Sequence, residues 1–450
     1  MIHILGYALT MQQGLSALRI LGIDREVFAR GVTTTEHVSY DKLGQILGVY
    51  GPNKSFDTTS ASADSIHSEG SGDTLEGPSS NSCAVNNQDC EVASVSSASS
   101  STRTGHRRRH NVHISRQSLR ELLVNRIPQK QIRWGMKLAG YSESNGQICL
   151  TFSDGSVKLA DLVVAADGIY SLLRKDAAPQ EKLKYLGLLV ILGITENRPS
   201  YNNETPPVLR KQQWVDGETR CFSMPFDKKR TMWQLSFPVL DEQDALLSSS
   251  TSSRLHEMAL NRCKDWHSPL VDLLQRTDID MISGHPVYDR DPCVWRQSQT
   301  NSSLLSPTNR IAFIGDAAHP MSPFKGQGAN QALADAVSIA ACIKATISDV
   351  ELCNSPWMRE KKSKNDTAVD AAKTICSDSD IGALISNAVT ESIARYEREM
   401  LSRSLPKVLK SRTAAAYLHS DAALVLGNIT RAAAAARVHG ELNADFNEEL

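Results

Sequence analysis

Between Arg310 and Asp335 the chain reads RIAFIGDAAHPMSPFKGQGANQALAD, and this string constrains the fold more than any other. An apolar run ends at Gly315-Asp316, placing the Asp316 carboxylate at the carboxyl end of a strand, where open α/β sheets bind ligands. A carboxylate there suits the hydroxyls of a ribityl or ribose chain. Pro320 and Pro323 stiffen a loop that closes on Gly326-Gln327-Gly328, and glycines let backbone approach a flat ligand at little conformational cost. The helix that follows aims unpaired N–H groups and partial positive charge at whatever the loop holds. Its small residues (Ala332, Ala334, Ala336, Ala340, Ala341) allow close packing. Glycines alone would fit an ordinary strand–loop–helix; the complete string points to a ligand.

A second segment has the same grammar. Asp161-Leu-Val-Val-Ala-Ala-Asp167-Gly168 is an apolar strand ending in an acid and a glycine, with Ser171 and Arg174 one turn later. Asp-Gly by itself is a turn signal, but an arginine near a phosphate-binding turn has an evident electrostatic use. A third segment, Arg116-Gln-Ser-Leu-Arg120, opens an amphipathic helix with Ser115 as its N-cap.

Together these segments resemble the para-hydroxybenzoate hydroxylase family, the single-component FAD-dependent monooxygenases of aromatic compounds. The resemblance implies that Asp316 meets the ribityl chain of FAD and that Pro323 lies over the reacting side of the ring. It brings the glycine loop, Gly326 and Gly328, to the flavin edge and counts Gly315, Ala329 and Asn330 among the cofactor-binding residues. Asp167, Gly168 and Arg174 are assigned to the pyrophosphate and the nicotinamide partner, and Arg116 to the flavin chain. The implied fold is α/β, a Rossmann-like FAD domain with an inserted mixed-sheet substrate domain and C-terminal helices. Trp214, Met224, Phe226 and Trp233, on strand-like segments between the motifs, are candidates to line an apolar substrate site, although plain sheet core suits them too. The implied reaction uses FAD, NADH or NADPH, and O2 to hydroxylate a small organic, aromatic-type substrate. A flavin epoxidase, a reductase of the same fold, or a non-catalytic protein remain alternatives. Cofactors carry such chemistry while the protein positions and shields, so no catalytic acid or base is singled out.

The family also begins with a βαβ unit carrying G-x-G-x-x-G. No such sequence occurs here; Gly6 to Thr10 resembles the stretch after that unit, and the expectation is a flavin domain short of its first unit.

Hydrophobic periodicity orders the rest. Residues 1–52 read as the start of the FAD and substrate domains, with two short helices over 11–30 and two strands over 35–50. Residues 53–110 are a Ser-rich polar tract, expected to be a disordered insertion because too little apolar surface is available to offset ordering entropy. FAD-domain segments follow at 111–180 and 301–350, flanking a substrate domain at 181–300 that includes one helical stretch over 252–276. A polar insertion at 351–382 and helices over 383–450 complete the chain.

Bulk properties exclude several classes. Hydrophobic residues at 41% and charged residues at 22% are ordinary for a globular protein, and a net charge of −1 argues against general nucleic-acid binding. Arg107-Arg108-Arg109 reads as a solvated loop edge. Nine cysteines without a CxxC pair or a His cluster fit neither a disulfide framework nor a metal site. No metal, signal peptide or spanning segment is expected, and the cytoplasm is the expected compartment.

Overall fold

Short β-rich runs dominate the middle of the chain, and alternation along them decides which side chains meet. In the computed structural model, described for residues 7–50, 111–144, 146–197, 210–290, 310–353 and 378–426, these runs assemble into four sheets. The largest is seven-stranded, with spatial order β14-β10-β13-β12-β11-β3-β4. Its strands are β3 (His37–Asp41), β4 (Ile46–Tyr50), β10 (Leu183–Glu196), β11 (Lys211–Val215), β12 (Arg220–Pro225), β13 (Arg230–Pro238) and β14 (Ile282–Arg290). It is mixed, because β11 and β3 run parallel while their neighbours are antiparallel.

Three smaller sheets accompany it. Strand β5 (Asn111–Ser115) lies between β1 (Ala8–Met11) and β2 (Val32–Thr34), and β6 (Leu138–Ser144), β7 (Gln147–Phe152) and β8 (Val157–Ala160) form a meander. The fourth is the parallel pair β9 (Val163–Ala165) and β15 (Ile311–Phe313), with Ala165 opposite Phe313.

Helices fill the spaces between sheets. Near the start, α1 (Gly14–Ile20) and α2 (Asp24–Arg30) are separated at Gly22, whose φ of +70° is the left-handed conformation that glycine accepts readily. Helix α3 (Arg116–Val124) is capped by the Ser115 hydroxyl, which accepts the Ser118 N–H; α4 (Leu172–Ala177) is capped in the same way by Ser171. Beside the large sheet lie α5 (Glu242–Ser248), α6 (Ser252–Arg262) and α7 (Leu270–Gln275). The single helix expected over 252–276 is instead two: α6 stops at Arg262, and α7 starts at Leu270 with Pro269 as its N-cap. Two long helices, α8 (Gly328–Cys353) and α9 (Asp378–Leu418), pack together and against the β9–β15 pair. They extend into both ends of the polar insertion expected at 351–382; its middle, like the Ser-rich tract at 53–110, lies outside the described residues.

By length and composition Gly328–Ser348 would suffice to cross a membrane. In this fold it is a packing helix, with buried Asn330, Gln331 and Asp335 turned toward protein.

The large sheet has two unlike faces. Trp214, Cys221 and Leu235 stand in one cross-strand row, while Ser39, Gln213, Phe222 and Gln234 stand in the next. Successive side chains point to opposite faces, so the first row packs under α6 and α7 with Leu255, Ala259, Leu270 and Leu274. The opposite face meets the end of α9 and the loop before α8, through Val190, Val215, Phe324, Tyr417 and Leu418.

Candidate flavin site

The parallel pairing of β9 with β15 sets the site. Because Ala165 is opposite Phe313 and the Ile314 N–H donates to the Ala165 carbonyl at 3.0 Å, both strands end together. Asp167-Gly168 and Gly315-Asp316 follow at the same level, 148 residues apart along the chain. The strands that lead into the two dipeptides are therefore neighbours in one parallel pair.

Both turns use a backbone conformation that favours glycine. Gly168 has φ +83° and Gly315 has φ +57°, a region costly for other residues. At Gly315 a Cβ would also come within 3.1 Å of the Ala332 Cβ, so the turn sits directly on α8. Gly326, at φ +60°, closes the loop, and nothing lies within 4 Å of where its Cβ would be; the same is true of Gly168. Those two glycines therefore present bare backbone with clear space beside it.

Asp316 is exposed at the mouth of this arrangement, and its Oδ1 lies 3.6 Å from the position a Cβ on Gly328 would take. Its carboxyl is raised above the ordinary value, first by crowding away from water and also by Asp335; His319 and Arg116 pull the other way. Arg116 is exposed, stands 5.9 Å from the Tyr7 ring centre, and donates its backbone N–H to the Tyr7 carbonyl. Pro323 is exposed on the same loop while Phe324 turns inward. Gly326, Gly328 and Ala329 lead into α8, whose N-terminus faces Asp316. These groups fit a flavin with a hydroxylated chain: a free carboxylate for hydroxyls, a cation nearby, clear glycine backbone for a flat ring, and a helix N-terminus for negative charge.

Two sequence-predicted contacts have other work. Arg174 is fully buried, paired with Glu181 and stacked 5.3 Å from the Phe313 ring centre. Its guanidinium supports the strand end from within, instead of facing a phosphate. Burial lowers its pKa and the Glu181 charge raises it again. Asn330 is buried, and its side chain is spent on the protein: Oδ1 accepts the Gln12 and Gly14 N–H groups at 3.0 and 2.9 Å, while Nδ2 donates to Thr10 and Gly326 carbonyls at 2.9 and 3.0 Å. It fastens the glycine loop to β1 and α1. Gly14 must be glycine here, since a Cβ would lie 2.9 Å from the Asn330 oxygen.

The aromatic substrate candidates divide by face. Trp214 and Trp233 are on the far side, Trp214 against Tyr40 at 5.7 Å and Trp233 donating to the Thr277 hydroxyl at 2.8 Å. They are core, because strand alternation turns them toward α6 and α7. Met224 and Phe226 cluster instead with Ala8, Ile194 and Met232. The site-side face is more polar than its sequence suggested. Arg220, buried, donates from Nε to the Gln213 side-chain Oε1 at 2.9 Å and lies near the Phe222 and Phe324 rings. His419 bridges the Ala415 carbonyl and the Ser236 hydroxyl at 2.7 and 2.9 Å; burial lowers its pKa to about 4.

Reading the motif also missed its internal network. His319 and Asp335 both lie between Arg310 and Asp335, but Arg403, the further partner of Asp335, comes 68 residues after it. No local spacing signals that bond.

Comparison with known proteins gives the following likenesses. Residues 294–350 match the model of an FAD binding domain. The chain is 26% identical over 237 residues to "Aurachin C monooxygenase/isomerase" of Stigmatella aurantiaca, covering 52% of this chain and 55% of that protein. It is 25% identical over 234 residues to "6-hydroxynicotinate 3-monooxygenase" of Bordetella bronchiseptica, covering 52% and 57%. The chain thus spans about half the length of the curated relatives it matches. Among solved structures, Klebsiella pneumoniae HpxO with FAD and uric acid superposes with a TM-score of 0.59 at 17% identity, over 92% of this chain and 79% of that one. The 2,6-dihydroxypyridine-3-hydroxylase of Arthrobacter nicotinovorans gives 0.59 at 14% identity, over 94% and 86%. At such identities the structures speak for the fold. Over about half of its length the chain is thus similar to proteins named as monooxygenases, and residues 294–350 match an FAD binding domain.

Proposed function

We propose that this chain carries the flavin-facing machinery of an FAD-dependent monooxygenase that uses NADH or NADPH and O2 to hydroxylate a small organic, aromatic-type substrate. The observation that supports this most is the junction of Asp167-Gly168 with Gly315-Asp316 at the carboxyl ends of one parallel strand pair. Bound there, FAD would supply the redox and oxygen chemistry.

The chain's own residues would bind, orient and shield. Asp316 would accept hydrogen bonds from the cofactor's hydroxyls, and Arg116 would complement negative charge beside it. The N-terminus of α8 would favour negative charge at the ring edge. Pro323, rigid and exposed, would limit how a substrate approaches over the loop. Met224 and Phe226, with the polar row of Gln213, Arg220 and Gln234, would form the wall facing the reacting region. The relatives' printed names include acids and heterocycles with ring heteroatoms, and a wall mixing apolar and hydrogen-bonding groups suits such substrates.

The direct test is substrate-dependent oxidation of NADH or NADPH by the full chain supplied with FAD, in 18O2, with products weighed by mass spectrometry. One labelled oxygen atom per product is expected. Oxidation without label in any product would point to a reductase and overturn the hydroxylase reading.

A further inference from the structure

Asp335 lies on α8, fully buried, and does not face the site. Its carboxylate is nevertheless the best-connected acid near it. Oδ2 accepts the Gly315 N–H at 2.8 Å and the His319 Nε2–H at 2.7 Å; Oδ1 accepts from Arg403 Nη2 at 2.9 Å. A carboxylate only accepts, so the bond to His319 fixes a proton on Nε2 of that ring. Burial would raise the Asp335 pKa, but the bonds from His319, Gly315 and Arg403 outweigh it and hold the group ionised, below the usual range.

The Gly315 N–H belongs to the residue whose left-handed backbone creates the turn, and the next residue is Asp316. Arg403 comes from α9 and is itself fixed, donating to Glu399 Oε1 at 2.8 Å and Gln331 Oε1 at 2.9 Å. Seven residues earlier on the same helix, the Tyr396 hydroxyl donates to the Phe313 carbonyl at 2.9 Å, at the end of β15. One face of α9 therefore grips both the strand end and the acid that holds the turn.

We propose that Asp335, held by Arg403, is a positioning residue that locks the Gly315-Asp316 turn and so aims the Asp316 carboxylate at the ligand. The lock itself is a property of this fold; its consequence for cofactor binding rests on the FAD reading above. Asp335 is fully buried and acts through Gly315 and His319. The chemical logic is that a charge-assisted bond to a backbone N–H is both short and strong in a dry interior. Three such donors on one carboxylate leave the turn a single geometry.

The test compares the full unaltered chain with Arg403→Met, Arg403→Lys and Asp335→Asn by hydrogen–deuterium exchange and by FAD titration. Exchange at residues 311–319 should rise about tenfold or more in Arg403→Met and Asp335→Asn, the scale of one lost charge-assisted bond. Residues 230–238, in the distant sheet, should be unchanged. FAD affinity should fall about tenfold in the same two variants, with Arg403→Lys recovering part of both effects because the cation is kept while the planar fork is lost. Unchanged exchange at 311–319 in both variants would overturn the proposal. So would a rise shared equally by 230–238, which would mark Asp335 as a general stabiliser. If the unaltered chain bound no FAD, the cofactor reading would fall, while the exchange comparison would still decide whether the lock exists.

Discussion

Around Gly315, an amide, an imidazole and a guanidinium meet on the Asp335 carboxylate, whereas Trp214 and Trp233 sit in an apolar cluster with Leu235, Phe237, Leu255 and Leu270. Both places are closed to water. At the turn, directional bonds hold a particular backbone geometry, and losing one donor changes where Asp316 points. In the sheet core, non-directional apolar burial supplies stability, and a lost side chain leaves a cavity without redirecting anything at the site. The comparison teaches that stability and ligand geometry are carried by different parts of this molecule, so they can be perturbed separately.

The largest separation should come from Trp233→Ala. Removing this fully buried side chain should cost about 3–5 kcal/mol in chemical denaturation, with FAD affinity of the folded fraction unaltered. A matching loss of affinity would break the distinction.

Acid should act next. His113, between the Thr10 and Thr34 hydroxyls, has its pKa lowered to about 3, first by burial and then by Lys211. In the unfolded chain the imidazole takes its proton near 6.5. Stability from the neutral ring is therefore fully present above about pH 6.5 and is lost as pH falls toward 3, at up to about 1.4 kcal/mol per unit. Denaturation midpoints measured from pH 7 to 4.5 should fall, and His113→Gln should flatten that slope. An identical slope in the variant would remove His113 from the explanation.

Asn330→Ala should sharpen the comparison from the other side. It removes the brace between the glycine loop and β1 and should cost about 2 kcal/mol together with a measurable drop in FAD affinity. Gly326→Ala should have the smallest effect, about 1 kcal/mol of left-handed strain, because nothing lies within 4 Å of the added Cβ. Thermal melts of the two variants check the order.

How far the sequence carries this picture depends on how local each device is. The two strand-end acids, the glycine loop and α8 are legible because motif and geometry coincide within a few residues. The strands β10 to β13 are legible from their apolar and aromatic runs. The face each tryptophan takes is legible only in part: Trp233, Leu235 and Phe237 alternate with Gln234 and Ser236, whereas β11 is too short to show a period around Trp214. Arg174 looks like a phosphate ligand in sequence, since its partner Glu181 lies beyond the motif and its packing against Phe313 joins segments far apart. Asn330 likewise hides its role, which depends on contacts with residues 10 to 14. The Arg403 grip on Asp335 is the least legible: a salt bridge between two helices separated by a long polar stretch.

One measurement bears most directly on the convergence of Asp167-Gly168 and Gly315-Asp316 upon a flavin: titration of the full chain with FAD, followed by flavin absorbance, beside the Asp316→Ala variant. The account predicts saturable one-to-one binding that weakens about tenfold or more without the exposed carboxylate. Binding of equal strength in both proteins, or none in the unaltered chain, would contradict it.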